Sequence, residues 1–150
     1  MTNSIQIEAA TTAAIPAIAA LDAASYRNDS YNPGFLYQAL MQWPQGLWVA
    51  TSNNETLGYA LIAPGQDAPE AWLMAVVVAE QARGQGLGRK LCKACIERAR
   101  LANYTRLYLT VAPDNQPAIR LYQTLGFESL ELQPDALGPG IHRRIMRLQL

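Results

Sequence analysis

The apolar run from Leu73 to Val78 ends within a few positions in Gln81-Ala82-Arg83-Gly84-Gln85-Gly86-Leu87-Gly88, and a long helical pattern follows at once. A strand that turns through glycines into a helix restricts the chain to α/β architectures and makes a site for phosphate. The glycines keep side chains out of the way of an approaching ligand. The first helical turn adds N–H groups without intrahelical partners and the positive end of the helix dipole.

The remaining pattern places this unit in a layered fold. Ile5 and Ile7 alternate with polar neighbours as a short strand, and Ala13 to Ser25 reads as a helix with Ile15, Ile18, Ala19 and Leu21 on one face and Pro16 in its first turn. Tyr26 to Gly34 is a polar, aromatic loop, and Phe35 to Trp43 a second helix. Leu47 to Thr51 and Leu57 to Ala63 flank Asn53-Asn54-Glu55 as a hairpin, and Glu70 to Val78 extends it to three antiparallel strands. A helix from about Arg83 to Ala102, a strand from Thr105 to Val111, a helix from Pro117 to Leu125 ended by Gly126, a strand from Phe127, a loop from Gln133 to Gly140 and a strand from Ile141 to Leu150 complete the order. This is an α/β (α+β layered) chain with a mostly antiparallel mixed sheet of about seven strands and four helices. One parallel crossover carries the glycine loop.

With 150 residues, half of them apolar, one domain over 1–150 accounts for the whole chain. Charged residues make up 16% and the formal net charge is zero, so nothing draws the chain in bulk toward nucleic acid or an anionic membrane. Met1 to Glu8 lacks a basic segment followed by an apolar core, and no apolar run approaches the roughly 20 residues of a membrane span. The expectation is a cytoplasmic protein with no nucleic-acid and no membrane partner; a homodimer is compatible with the sequence. Cys92 and Cys95 form a C-x-x-C inside the helix after the glycines, with only His142 to add as a further Cys or His ligand. Two small buried apolar side chains is the better reading than redox or metal chemistry, and no metal is expected.

The dinucleotide fingerprint needs glycine where this chain has Arg89, and a P-loop needs Gly-Lys-Ser/Thr. Gln81-x-x-Gly84-x-Gly86, extended as Arg83-Gly84-x-Gly86-Leu87-Gly88, instead resembles the acyl-CoA loop of the GNAT family, the Gcn5-related N-acetyltransferases. Downstream, Asn115-x-x-Ala118-x-x-x-Tyr122-x-x-x-Gly126-Phe127 is similar to that family's later segment, and the element order agrees over nearly the whole chain.

The resemblance implies a GNAT fold and transfer of an acetyl group from acetyl-CoA to a primary amine, by direct attack in a ternary complex. Backbone N–H groups from Arg83 through Gly84, Gln85, Gly86 and Leu87 to Gly88 would hold the pyrophosphate, with Gln81 as the first motif residue. Arg83, Arg89 and Lys90 would add positive charge, or form a solvated face. The pantetheine arm would pair with the main chain of Met74, Val76 and Val78, where the family has a bulge, and the N–H near Val76 would stabilise the tetrahedral oxyanion. Tyr122 matches the tyrosine beside the coenzyme sulfur, able to protonate the leaving thiolate; Asn115 matches a coenzyme contact and also stands where an N-cap belongs.

The attacking amine must be neutral, and a lysine side chain with pKa near 10.4 is neutral only at about one part in a thousand at pH 7. Glu70, spaced from Gly84 as the catalytic glutamate is in the histone acetyltransferase branch, is the candidate base, directly or through water; a solvated strand start is the other reading. Glu80 reads as a solvent-facing loop residue. The resemblance puts the acceptor between Tyr26 to Gly34 and Gln133 to Gly140, with Tyr26, Asp29, Tyr31 and Trp43 as candidate contacts. His142 reads as strand surface. A non-catalytic acyl-CoA sensor or scaffold of the same fold is the alternative function, and a nucleotide-binding domain a third. The acceptor and the preferred acyl chain stay open.

Overall fold

The computed structural model describes residues 4–150, so the part of Met1 to Glu8 before Ser4 lies outside the described residues. The strands are β1 (Gln6–Ala9), β2 (Leu47–Ser52), β3 (Glu55–Pro64), β4 (Glu70–Val78), β5 (Arg106–Val111), β6 (Glu128–Gln133) and β7 (Arg143–Gln149). The helices are α1 (Ile15–Tyr26), α2 (Pro33–Gln42), α3 (Leu87–Leu101) and α4 (Gln116–Thr124). Seven strands form a mixed sheet in the order β1-β2-β3-β4-β5-β7-β6. The chain folds as two compact units, one holding the chain up to Ala63 with Ala75–Cys95, the other Pro64–Met74 with Ile96–Leu150.

In the first unit, β1 pairs antiparallel with β2 and β2 with β3. Asn53 and Asn54 turn the β2–β3 hairpin with φ of +51° and +63°, the doubly left-handed geometry that matches the twist of a two-residue hairpin. Ala50 pairs with Gly58 but Thr51 with Thr56, which leaves Leu57 as an extra residue in β3. Its carbonyl accepts from the Ala79 N–H at 2.8 Å and so anchors the end of β4, where the glycine turn begins. Gly58 is required for close packing. A Cβ there would lie 2.9 Å from the Val77 carbonyl oxygen and 3.0 Å from the Leu91 side chain, so its absence lets α3 settle onto the sheet through Leu87 and Leu91.

The buried stripe of α1 is Ile15, Ile18, Ala19 and Asp22, not Leu21, which is half-buried. These positions follow the i, i+3, i+4, i+7 spacing, and Leu21 falls to one side of it. A 3₁₀ turn at Thr12–Ala14 precedes this helix, which therefore begins two residues later than the pattern suggests. Helix α2 begins earlier, at Pro33, because the Asn32 side chain accepts from the Phe35 N–H at 2.8 Å and Pro33 needs no hydrogen-bond partner for a missing N–H.

In the second unit, Glu70, Ala71 and Trp72 of β4 pair in parallel with Arg106, Leu107 and Tyr108 of β5. β7 pairs antiparallel with both β5 and β6. Leu107, Leu109 and Val111 alternate inward with Met146 and Leu148 of β7, whereas every residue of β6 is exposed. Trp72 and Tyr108 stack on the opposite side of the same strands, with centroids 5.0 Å apart. The last strand starts at Arg143 because Ile141 is still in a turn, its N–H bonded to the Gly138 carbonyl.

Candidate active site

The glycine turn belongs to the first unit. Glu80–Ala82 makes a single 3₁₀ turn, and Gly84 and Gly86 follow with φ of +77° and +79°. Two left-handed residues cannot continue a right-handed helix, so α3 starts at Leu87 rather than Arg83. A Cβ built on either glycine meets nothing within 4 Å. The backbone thus passes under open space where the first turn of α3 presents its N–H groups, and a phosphate-bearing coenzyme fits there by both room and polarity. Leu87, 1% exposed, pins the start of α3, while Gln85 and Arg89 are exposed.

Two long side chains of the turn, Arg83 and Gln81, have protein partners. Arg83 donates through Nε to the Val78 carbonyl at 3.2 Å and reaches the Ser25 hydroxyl at 3.4 Å, and Gln81 donates to Glu55 at 3.2 Å. Both line a groove of about 560 Å³ floored by Ala17, Ala20 and Ala24 of α1. For Arg83 to reach a phosphate, those bonds must be exchanged.

Along β4, Ala71, Leu73 and Val77 are buried, and Met74, Val76 and Val78 are partly exposed. Glu70 opens this strand in the second unit, its N–H bonded to the Asp67 carbonyl and its carbonyl accepting from Gly65. Its side chain is half-buried.

In the second unit, the Asn115 side chain accepts from the Ala118 N–H at 3.3 Å and caps α4, as the sequence suggests. The other end of α4 closes with the Gly126 N–H on the Gln123 carbonyl and the Phe127 N–H on that of Tyr122, with Gly126 at φ +101°. This paired closure fixes the Tyr122 backbone. Its half-buried ring meets Phe127, 3% exposed, edge-on at 5.7 Å.

The candidate acceptor segments are ordered by internal bonds. Arg27–Asp29 forms a 3₁₀ turn with Asp29 exposed at its end, Tyr26 is half exposed, and Tyr31 stacks on Phe35 at 4.6 Å. Trp43 follows the end of α2. In the second unit the Asp135 N–H donates to His142 Nδ1 at 2.9 Å and the Asp135 carboxylate accepts from the Gly140 N–H at 2.7 Å. His142 is therefore a brace of the Gln133 to Gly140 turn rather than plain strand surface.

Cys92 and Cys95 are fully buried, and burial pushes the Cys92 thiol up to about 12 and Cys95 further in the same direction. Neither is a nucleophile at neutral pH. Among the described residues, no group of three or more His, Cys, Asp or Glu side chains is arranged to hold a metal ion, and no helix is long and apolar enough to cross a membrane.

The pair that sequence reasoning missed is Asp22 and Tyr59. Asp22 is 1% exposed and Tyr59 fully buried, and the tyrosine hydroxyl donates to the carboxylate. Burial first, and then that bond, raises the Tyr59 pKa. The signal was available: Asp22 is an acidic residue at i+4 from Ile18 and i+7 from Ile15, on the apolar stripe itself.

The sequence profile of the acetyltransferase (GNAT) family matches residues 15–127. An uncharacterised N-acetyltransferase, YjgM, of Escherichia coli is 34% identical over 98 residues, which are 64% of this chain and 59% of that protein. Ard1 from Thermoplasma volcanium superimposes with a TM-score of 0.89 at 22% identity, over 97% of each chain. YncA from Salmonella typhimurium, solved with its cofactor acetyl-CoA, does so with a TM-score of 0.82 at 24% identity, over 99% of this chain and 95% of the other. The two structures share the fold, and the matched part spans somewhat over half the length of the curated relative. With the profile covering three quarters of the sequence, the chain belongs to the acetyltransferase (GNAT) family.

Proposed function

We propose that residues 1–150 act as a single N-acetyltransferase domain that moves the acetyl group of acetyl-CoA to a primary amine in a ternary complex. The observation that carries this reading is the open turn of Gly84 and Gly86 at the head of α3, bare of side chains where a pyrophosphate needs backbone N–H groups. The N–H groups from Gly84 to Gly88 hold the pyrophosphate, and Arg89, with Arg83 once released from Ser25, supplies charge. The main chain of Met74, Val76 and Val78 pairs with the pantetheine amides.

The amine nitrogen attacks the thioester carbonyl, and the Val76 N–H stabilises the oxygen as it becomes negative. The carbon–sulfur bond then breaks, and the Tyr122 phenol gives its proton to the departing thiolate. The proton lost by the amine leaves through water, with Glu70 as an outer acceptor. Asn115 and Ala118 contribute to coenzyme binding, and Tyr26, Asp29 and Tyr31 to that of the amine. Zero net charge gives no bulk attraction to nucleic acid or an anionic membrane; a cytoplasmic location and a homodimer are compatible with this reading.

Thiol release from acetyl-CoA, followed with a polyamine, a diamino acid and a peptide with a free α-amine, tests the proposal. Release that depends on one of these amines and yields its acetylated form is expected. Tight coenzyme binding without turnover of any amine would instead identify a sensor or scaffold.

A further inference from the structure

The geometry points to Asp22 and Tyr59 as positioning residues that set the amine-binding segment after α1. Both carboxylate oxygens of Asp22 are used: one accepts from the Tyr59 hydroxyl of β3, the other from the Tyr31 backbone N–H at 2.6 Å. Tyr31 lies nine residues further on, in the connection to α2. One buried carboxylate therefore joins helix, sheet and connection.

The connection has its own local structure on either side of that bond. Arg27 turns the chain with φ +50°, and its carbonyl accepts from both the N–H and the hydroxyl of Ser30. Asn32 caps α2. Between these two fixed points, the bond to Asp22 sets the position of Tyr31, and hence of the ring that stacks on Phe35.

An apolar residue at 22 opposite phenylalanine at 59 would pack the same interface without desolvating a charge, so packing alone does not account for the pair. What the carboxylate adds is a defined place for the Tyr31 main chain. Resting on the reading of Tyr26 to Gly34 as an acceptor wall, this makes Asp22 a determinant of which amine is accepted. It has no part in donor binding.

The experiment compares wild type, Asp22→Asn, and Asp22→Leu combined with Tyr59→Phe. The asparagine can still accept from the Tyr31 N–H while its amide donates to the Tyr59 hydroxyl, whereas the double variant keeps apolar packing and removes the bond. With spermidine or an alanine-starting peptide as acceptor, whichever wild type uses faster, the double variant is expected to raise the acceptor KM about tenfold. The KM for acetyl-CoA stays unchanged, Tyr31 amide exchange accelerates, and Asp22→Asn retains the wild-type values. Should the double variant not fold, Asp22→Ala alone, which also removes the bond to the Tyr31 N–H, gives the same split. An unchanged acceptor KM, or equal rises for acceptor and donor, overturns the positioning role and leaves the acetyltransfer reading standing. A wild type that acetylates neither these probes nor a diamino acid removes that reading, and the positioning role with it.

Discussion

Replacing Gly86 by alanine separates what the glycine turn does for folding from what it does for the donor. Gly86 sits at φ +79°, where an L-residue costs about 1–2 kcal/mol. Alanine recovers about 0.4–1 kcal/mol by restricting the unfolded chain, so the net loss is roughly 1 kcal/mol. Since nothing lies within 4 Å of the added Cβ, no clash is added within the protein. For a chain of this length the melting temperature should fall by about 2–4 °C. The new methyl group occupies the space over the turn, however, and a phosphate seated on the backbone must move away from it. A loss of at least about 1.4 kcal/mol, or tenfold in Kd for coenzyme A, is expected. Gly140→Ala is the matched control, because Gly140 has φ +77° and equally open surroundings in the turn before β7. Calorimetric titration and thermal unfolding of both variants make the comparison. Equal falls in melting temperature together with equal coenzyme affinity would show that the open turn at Gly86 does not seat the donor.

Tyr122→Phe should lower kcat by about ten- to a hundredfold with coenzyme Kd nearly unchanged, as for a group that acts on the leaving thiolate; steady-state kinetics beside titration would expose a pure binding role by the opposite split. Glu70→Gln should reduce kcat by less than about tenfold, because its contribution passes through water. A hundredfold loss across the pH profile would put this carboxylate in contact with the amine. The Cys92 thiol rises from an ordinary 9.0 to about 12, so the native state holds its proton more tightly than the unfolded chain. Its stabilising contribution is complete below pH 9 and is lost between pH 9 and about 12. Denaturant unfolding of wild type against Cys92→Ala should give a smaller alkaline loss for the variant, and parallel pH curves would remove Cys92 from that loss.

The apolar pattern from Glu70 to Val78 gave both ends of β4, since a buried alternation bounded by Pro69 and the glycine turn leaves little choice. Asn115, Gly126 and Phe127 likewise announced both ends of α4, because each cap depends on local residue chemistry. Where the structure departs from the sequence reading, long-range or backbone effects decide. The start of α3 was set by left-handed φ at Gly84 and Gly86, which periodicity does not register. The burial of Asp22 required Tyr59, 37 residues away, to make a carboxylate tolerable inside. The partners of Arg83, and the bond from Asp135 to His142, depend on which segments meet, and a linear pattern of charges carries no record of that.

The claim on which the rest stands is that the turn from Gln81 to Gly88 receives the pyrophosphate of an acyl-CoA donor. Titration calorimetry of the unaltered chain with coenzyme A, ATP and NAD tests it most directly. Binding of coenzyme A at one site per chain, about a hundredfold or more tighter than ATP or NAD, is the predicted result. ATP or NAD binding as tightly as coenzyme A, or no binding of coenzyme A, would contradict it.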